Sequence, residues 1–408
     1  MKILILTPYA PYPPNSGGRI RIWEQIRFLG SRHKVSLISF YQTKVEYDQR
    51  GMLAEYCQRV IFVKRPDSLQ ESDLQHMQQL TEIFQWYSTA EMKQALAGVQ
   101  SEIFDVVLFE HIFMAQYQAH FSTCTVLQEH NIESNIFKQL AHLYRSSNPT
   151  PARQKENAFR MSRWMLMRKY ENETWPKFPL RITVSQNDKE ELDRRCATGR
   201  TVVVENGINT REIKFISDEQ WQKETSKRIL FMGSLDFYPN IDSLFFLKEA
   251  ILPRLWQSDP TISLVITGRQ PSQAILDFAA DPRIDVIANP ADINEVAQNC
   301  YLTIVPMRIG SGTRIKIIHS MALGLPVVST TVGCEGLLVS NGQDILIRDT
   351  PEQFAEAVLR LMSDRQLAVR LRTAGRKLVE ERYDWTFICE HLERELLALV
   401  HLARRGEA

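Results

Sequence analysis

The residues with the clearest chemical potential lie in one run, Pro306-Met-Arg-Ile-Gly-Ser-Gly-Thr-Arg-Ile-Lys-Ile-Ile-His-Ser-Met-Ala-Leu-Gly-Leu-Pro-Val-Val-Ser329. An apolar strand ends at Val305, a glycine-containing loop follows, and Thr313 is placed to cap a helix whose Ile317, Ile318, Met321 and Ala322 recur at helical spacing. Backbone N–H groups at a helix start, together with the positive end of its dipole, suit a diphosphate. Arg314 and Lys316 add two cations in that first turn, where they oppose the dipole unless an anion is present. A local conflict of this kind marks a site rather than scaffold. The alternative is a surface helix whose first-turn cations are solvated.

Three further groups could do chemistry. The loop Asn15-Ser-Gly-Gly-Arg19 places Gly17 and Gly18 where a backbone without Cβ atoms lets another group come close. It is not a dinucleotide fingerprint, because no G-x-G-x-x-G occurs there. Glu110-His111 and Glu129-His130-Asn131 each follow a short apolar run, the place where parallel strands deliver side chains into a ligand crevice. Neither pair has the HExxH spacing of a zinc site, and no Asp-x-Asp occurs to clamp a metal-diphosphate. The expectation is a site without a metal ion, in which cations and helix N–H groups meet a diphosphate.

These groups need a frame to hold them. With 408 residues the chain exceeds one ordinary core, and two α/β domains are expected. Forty-nine basic and 48 acidic side chains leave a net charge of +1, so no global field draws the protein to nucleic acid. Six scattered cysteines form no CxxC pair and read as reduced thiols. The opening Met1-Lys-Ile-Leu-Ile-Leu6 is too short for a leader's apolar region or a membrane span and reads as a first strand, so a cytoplasmic protein is expected. Strands are expected at Ile3 to Thr7, Lys34 to Phe40, Val60 to Val63, Asp105 to Phe109, Thr125 to Gln128, Arg181 to Val184 and Thr201 to Val204. A second series begins near Ile229, after the Asn206-Gly207 turn pair, which places the hinge between about residue 206 and Lys227. Two doubly wound parallel sheets facing a cleft are the expected architecture. The segment Pro151 to Trp175 reads as a helix covering the sheet. Its alternative is a basic, aromatic face (Arg160, Arg163, Trp164, Met167, Arg168, Tyr170) approaching an anionic membrane.

The run GSGTRIKIIHSMALGLPVVSTTVGCEGL resembles the donor-binding signature of glycosyltransferase family 4, of the GT-B fold, in the group with a Gly-Ser-Gly-Thr-Arg-x-Lys loop. The stretches Val203 to Asn209, Leu230 to Asp236 with Tyr238-Pro-Asn240, Leu264 to Arg269, and Glu381 to Trp385 resemble that family in order and spacing. The resemblance implies an acceptor-side domain over 1–205, a nucleotide-sugar domain over 206–385, and a closing helix over 386–408 that packs back on the first. It implies donor contacts at Gly17, Gly18, Gly233, Ser311, Gly312, Thr313, His319 and Glu335. Catalytic roles are implied for His111, Arg314 and Lys316, and acceptor-side roles for Glu110, His130 and Asn131. Two departures stand out: the family's paired glutamates are replaced by Ser311 and His319, and Gly233 is followed by Ser234 instead of arginine.

The implied reaction is a retaining, metal-independent transfer of a sugar from a nucleoside-diphosphate sugar to a glycan or lipid-linked acceptor in surface polysaccharide or glycoconjugate synthesis. No cofactor is expected beyond that co-substrate. The expected location is the cytoplasm, with peripheral contact at the inner face of the membrane. The replaced glutamates leave open a catalytically silent nucleotide-sugar or glycan-binding protein of the same fold.

Overall fold

The structure, a computed structural model, describes residues 1–66, 84, 86–143, 151–223, 227–310 and 312–406. It divides into two compact units, Met1–Glu205 with Ile388–Ala408, and Asn206–Phe387.

The first unit is built on the parallel strands β1 (Lys2–Thr7), β2 (Lys34–Tyr41), β3 (Arg59–Lys64), β4 (Val106–Glu110), β5 (Cys124–Gln128), β6 (Leu180–Thr183) and β7 (Arg200–Val203). Their order across the sheet is β3-β2-β1-β4-β5-β6-β7. β4 is buried along its whole length, as is β1 after Lys2, which is why these strands read as continuous apolar runs without alternation. The chain leaves β1 toward β2 and β3, then returns to the other side through β4, so the switch point of this sheet lies between the carboxyl ends of β1 and β4. The helix Gly17–Gly30 starts from the loop beyond β1. Residues of the last helix, Trp385–Arg404, hold to this unit through Glu393, which pairs with His33 at 2.8 Å, and Arg404, which pairs with Asp105 at 2.8 Å.

The second unit contains β8 (Arg228–Met232), β9 (Ser263–Gly268), β10 (Ile284–Ala288), β11 (Leu302–Val305), β12 (Val327–Ser329) and β13 (Leu346–Ile347), all parallel, in the order β10-β9-β8-β11-β12-β13. Its core is continuous from Phe231, Val265 and Ile304 on the sheet to Ile317, Ile318 and Met321 on the helix Ile315–Leu323. Here the switch point lies between β8 and β11. That helix stops at Gly324, whose φ of 80° is the left-handed turn that only glycine takes at little cost.

The helix Pro151–Thr174 covers the first unit with the face that the sequence offered as a membrane surface. Met167 is fully buried, Tyr170 lies 4.0 Å from the Phe84 ring, and the Arg163 guanidinium sits over the rings of Phe137 and Phe159. Arg160 pairs with Glu156. The aromatic stripe at helical spacing is therefore packing against Glu133–Leu143 and its neighbours, and the arginines lie over its rim.

Candidate functional site

In the second unit the loop between β11 and its helix faces the carboxyl end of β8. Lys316 is half-buried, and its ammonium donates to Asn240 Oδ1 at 2.7 Å and lies 4.7 Å from the Phe231 ring centroid. The same Asn240 amide donates from Nδ2 to the Ser234 carbonyl at 2.8 Å, tying the lysine to the turn after β8. Gly233 is what lets them meet, since a Cβ there would lie 2.8 Å from both Lys316 Nζ and Asn240 Nδ2. Among the described residues no carboxylate compensates the ammonium: burial first, and the charge of Arg314 second, push the Lys316 pKa down to about 7.

The helix begins one residue later than the cap expectation required. Its first residue is Ile315, and Arg314 stands in the cap position with extended backbone, its side chain making no cap hydrogen bond. Thr313 lies outside the turn and its hydroxyl accepts from Asn206 Nδ2 at 2.8 Å. A start that Arg314 does not cap, on a nine-residue helix, leaves amide donors at the mouth of the loop. Gly312 turns the loop with φ 72°. Arg314 is buried, with its guanidinium donating to the carbonyls of Gly312 and Val332. Ser311 lies outside the described residues.

His319 faces Asn294, with Nε2 and Oδ1 2.7 Å apart, and burial pushes its pKa down to about 4 despite Asp292 nearby. It is therefore a neutral ring at physiological pH, able to accept one hydrogen bond through the nitrogen that Asn294 does not hold. Glu335 is half-buried in the turns after β12, with its N–H donating to the Val332 carbonyl at 3.4 Å. Arg269, the residue after β9, donates from Nε to Ser234 Oγ at 3.1 Å.

In the first unit the corresponding group sits at the β1/β4 switch point. Glu110 is the last residue of β4 and fully buried. It takes Gln128 Nε2 at 2.6 Å on one oxygen and His130 Nε2 at 2.8 Å on the other. His130 Nδ1 in turn is 3.4 Å from the Tyr9 hydroxyl. Burial lowers the His130 pKa, opposed by Glu110. Gly17 and Gly18 open the helix Gly17–Gly30, but the space above Gly18 is filled: a Cβ there would lie 2.0 Å from Tyr9 Oη and 3.2 Å from His130 Nδ1. The glycine admits a side chain of the protein itself, and the tyrosine presents its phenol where the sequence reading expected bare backbone.

His111 leaves β4 with φ 76° and ψ 147°, a conformation that costs a non-glycine residue of order 1–3 kcal/mol. Its ring stacks on Phe113 at 4.4 Å, its Nε2 is 3.1 Å from Glu133 Oε1, and its buried Nδ1 has no partner. Asn131 reaches the same Glu133 oxygen at 3.4 Å. The fold thus brings His111, Glu110, His130, Asn131 and Gly18 together in one unit, and Gly233 with Lys316 and Gly312 with Arg314 in the other, where His319 faces Asn294 on the same helix as Lys316. Tyr9, Glu133, Asn240, Asn294 and Arg269 were not singled out from the sequence. Tyr9 and Arg269 follow their strands closely, the same signal that pointed to His111. Asn240 stood only within a stretch that resembles the family, without a role, and Asn294 carries no signal. Among the described residues no group of three His, Cys, Asp or Glu side chains is arranged to hold a metal ion.

Comparison with known proteins fits this geometry. Residues 226–364 match the family described as glycosyl transferases group 1. Over 406 residues, 94% of this chain and 96% of its relative, the sequence is 21% identical to a Klebsiella pneumoniae protein described as an uncharacterized 44.6 kDa protein in the cps region. Sucrose-phosphate synthase of Thermosynechococcus elongatus superposes with a TM-score of 0.71 at 16% identity, covering 98% of this chain and 100% of that one. HepE of Anabaena, solved with UDP-glucose, gives 0.68 at 15% identity over 98% and 100%. TarM of S. aureus, solved with UDP and α-GlcNAc-glycerol among its ligands, gives 0.65 at 10% over 98% and 100%. The fold is GT-B, and with the family match it supports a glycosyltransferase.

Proposed function

We propose that this chain transfers a sugar from a nucleoside-diphosphate sugar to a glycan or lipid-linked acceptor, with retention of anomeric configuration and without a metal ion, in the synthesis of a surface polysaccharide. The observation that carries the reading is Lys316: a half-buried ammonium with no carboxylate partner among the described residues, at the switch point of a parallel sheet, beside a helix start that its cap residue Arg314 does not cap. A diphosphate supplies the missing counter-charge. On this reading Lys316 and the helix amides take up charge as the diphosphate leaves. Arg314 shapes the loop and adds positive potential. His319 accepts from a ribose hydroxyl, and the unpartnered Nδ1 of His111 meets a sugar hydroxyl near the reacting carbon. Glu335 adds a donor-side contact.

In the other unit the Tyr9–His130–Glu110 chain and Asn131 receive the acceptor. The relative encoded in a cps region supports the polysaccharide context, and the UDP complexes of HepE and TarM make UDP the first nucleotide to test. No helix among the described residues is long and apolar enough to cross a membrane. Contact with a membrane through a lipid-linked acceptor is part of the proposal, and it must use a surface other than the inward-packed stripe of Pro151–Thr174.

The test is a thermal-shift panel of UDP-, GDP-, ADP- and dTDP-sugars, followed by hydrolysis of the best binder and NMR of the released anomer, with and without EDTA. Stabilisation that rises with ligand concentration, and slow EDTA-insensitive hydrolysis releasing the donor's own anomer, are expected. A panel with no stabilising donor refutes the proposal; binding without any turnover favours the silent binder.

A further inference from the structure

Resting on that donor reading, we propose that Arg269 is the second cation of the diphosphate site. A nucleoside diphosphate carries more negative charge than the single ammonium of Lys316 neutralises. Of the loop's other cations, Arg308 is held by both oxygens of Asp242 at 3.0 and 2.6 Å, and Arg314 spends donors on the carbonyls of Gly312 and Val332 and is buried beneath the loop. The remaining arginine within reach of the turn after β8 comes from the next strand. β9 is hydrogen-bonded beside β8, and their ends cross so tightly that a Cβ on Gly268 would lie 1.7 Å from the Gly233 carbonyl oxygen. That crossing sets Arg269 directly over Ser234, with Nε donating to Ser234 Oγ at 3.1 Å.

Its position mirrors that of Lys316. The lysine holds the turn from the β11 side through Asn240, which also binds the Ser234 carbonyl; the arginine holds it from the β9 side through the Ser234 hydroxyl. Arg269 is about one-quarter exposed, and its carboxylate neighbour, Asp236, is an exposed residue at 3.3 Å. An exposed pair of that length contributes little, so the guanidinium exchanges it readily for a phosphate that it can grip with two parallel N–H donors. Ser234 is small, and its hydroxyl meets Arg269 instead of presenting a charge of its own. The cation is supplied by a neighbouring strand instead of by the turn itself.

The experiment measures binding of UDP, GDP, ADP and the matching nucleosides to the full chain and to three variants: Arg269→Ala, Lys316→Ala, and Ser234→Arg combined with Arg269→Ala. The expected result is a 10- to 100-fold loss of nucleoside diphosphate affinity in Arg269→Ala, with unchanged nucleoside affinity, a shallower salt dependence and an unchanged melting temperature. Moving the cation to residue 234 is expected to restore at least half of the lost affinity on a logarithmic scale. Unchanged diphosphate affinity in Arg269→Ala, while Lys316→Ala weakens it, overturns this inference alone. Equal weakening of diphosphate and nucleoside overturns it too, since that marks a structural role. A wild-type chain that binds no nucleoside diphosphate overturns the donor reading and this inference together.

Discussion

Raising the pH from 6 to 9 is expected to weaken nucleoside diphosphate binding by up to about a hundredfold through Lys316 alone. Its pKa of about 7 means that roughly one lysine in a hundred is protonated at pH 9, and protonating it for the anion then costs about 2.7 kcal/mol. Below pH 6 the ligand loses charge, because a terminal phosphate has a pKa of about 6. The affinity profile should therefore peak between about pH 6 and 7 and fall on both sides. Calorimetry in two buffers of different ionisation enthalpy should show uptake of about 0.9 proton per UDP bound at pH 8. Stability runs the opposite way. A lysine whose folded pKa is lowered makes the unfolded chain bind more protons between about pH 7 and 10.5, so this contribution to stability is lost as pH falls through that window, by up to about 1.4 kcal/mol per unit. Lys316→Arg should flatten the alkaline limb of binding, since a guanidinium stays charged. Parallel affinity profiles for wild type and Lys316→Ala, or absence of proton uptake, would refute the reasoning that Lys316 is an uncompensated cation awaiting the phosphate.

His319→Gln keeps a donor to Asn294 but removes the titration, so the fall in stability from pH 6.5 down to about 4 should flatten by roughly 1 kcal/mol per unit in denaturant midpoints, the folded pKa being the lowered one. Gly18→Ala must displace the Tyr9 hydroxyl from its place beside His130; a loss of about 1–3 kcal/mol by chemical unfolding is expected, with transfer activity reduced further than the same loss elsewhere would cause. His111→Ala should lower kcat by at least tenfold in a donor-hydrolysis assay while leaving UDP affinity within twofold. Alanine keeps the Cβ that strains this turn, so relief is expected only in His111→Gly, whose melting temperature should be unchanged or higher.

The strands and most helices were legible because buried parallel strands are apolar throughout and the turn residues between them are Gly, Pro and Asn. The strands were read to within a residue or two, for instance Asp105 to Phe109 against the observed Val106–Glu110. The interior position of Met167 and Tyr170 was not decidable from the sequence, because an amphipathic stripe has the same spacing whether it meets protein or lipid. Thr313 shows another limit. Its type and place satisfied the cap rule, but Asn206, more than a hundred residues earlier in the chain, takes its hydroxyl.

What the sequence determined by itself is local: the glycines at 17, 18, 233 and 312, the cations beside a helix start, and the His-containing strand ends, all set by residue type and short spacing. Only the tertiary structure decided which of them meet. Strand order placed the ends of β8 and β11 side by side, and with them Gly233, Asn240 and Lys316; it brought Arg269 to Ser234 across a crossing that no spacing along the chain encodes. The same holds for Tyr9, His130 and Glu110, which lie up to 121 residues apart. Burial then set the charge states, for removal from water depends on every neighbour that packs around a group and not on the group's place in the chain.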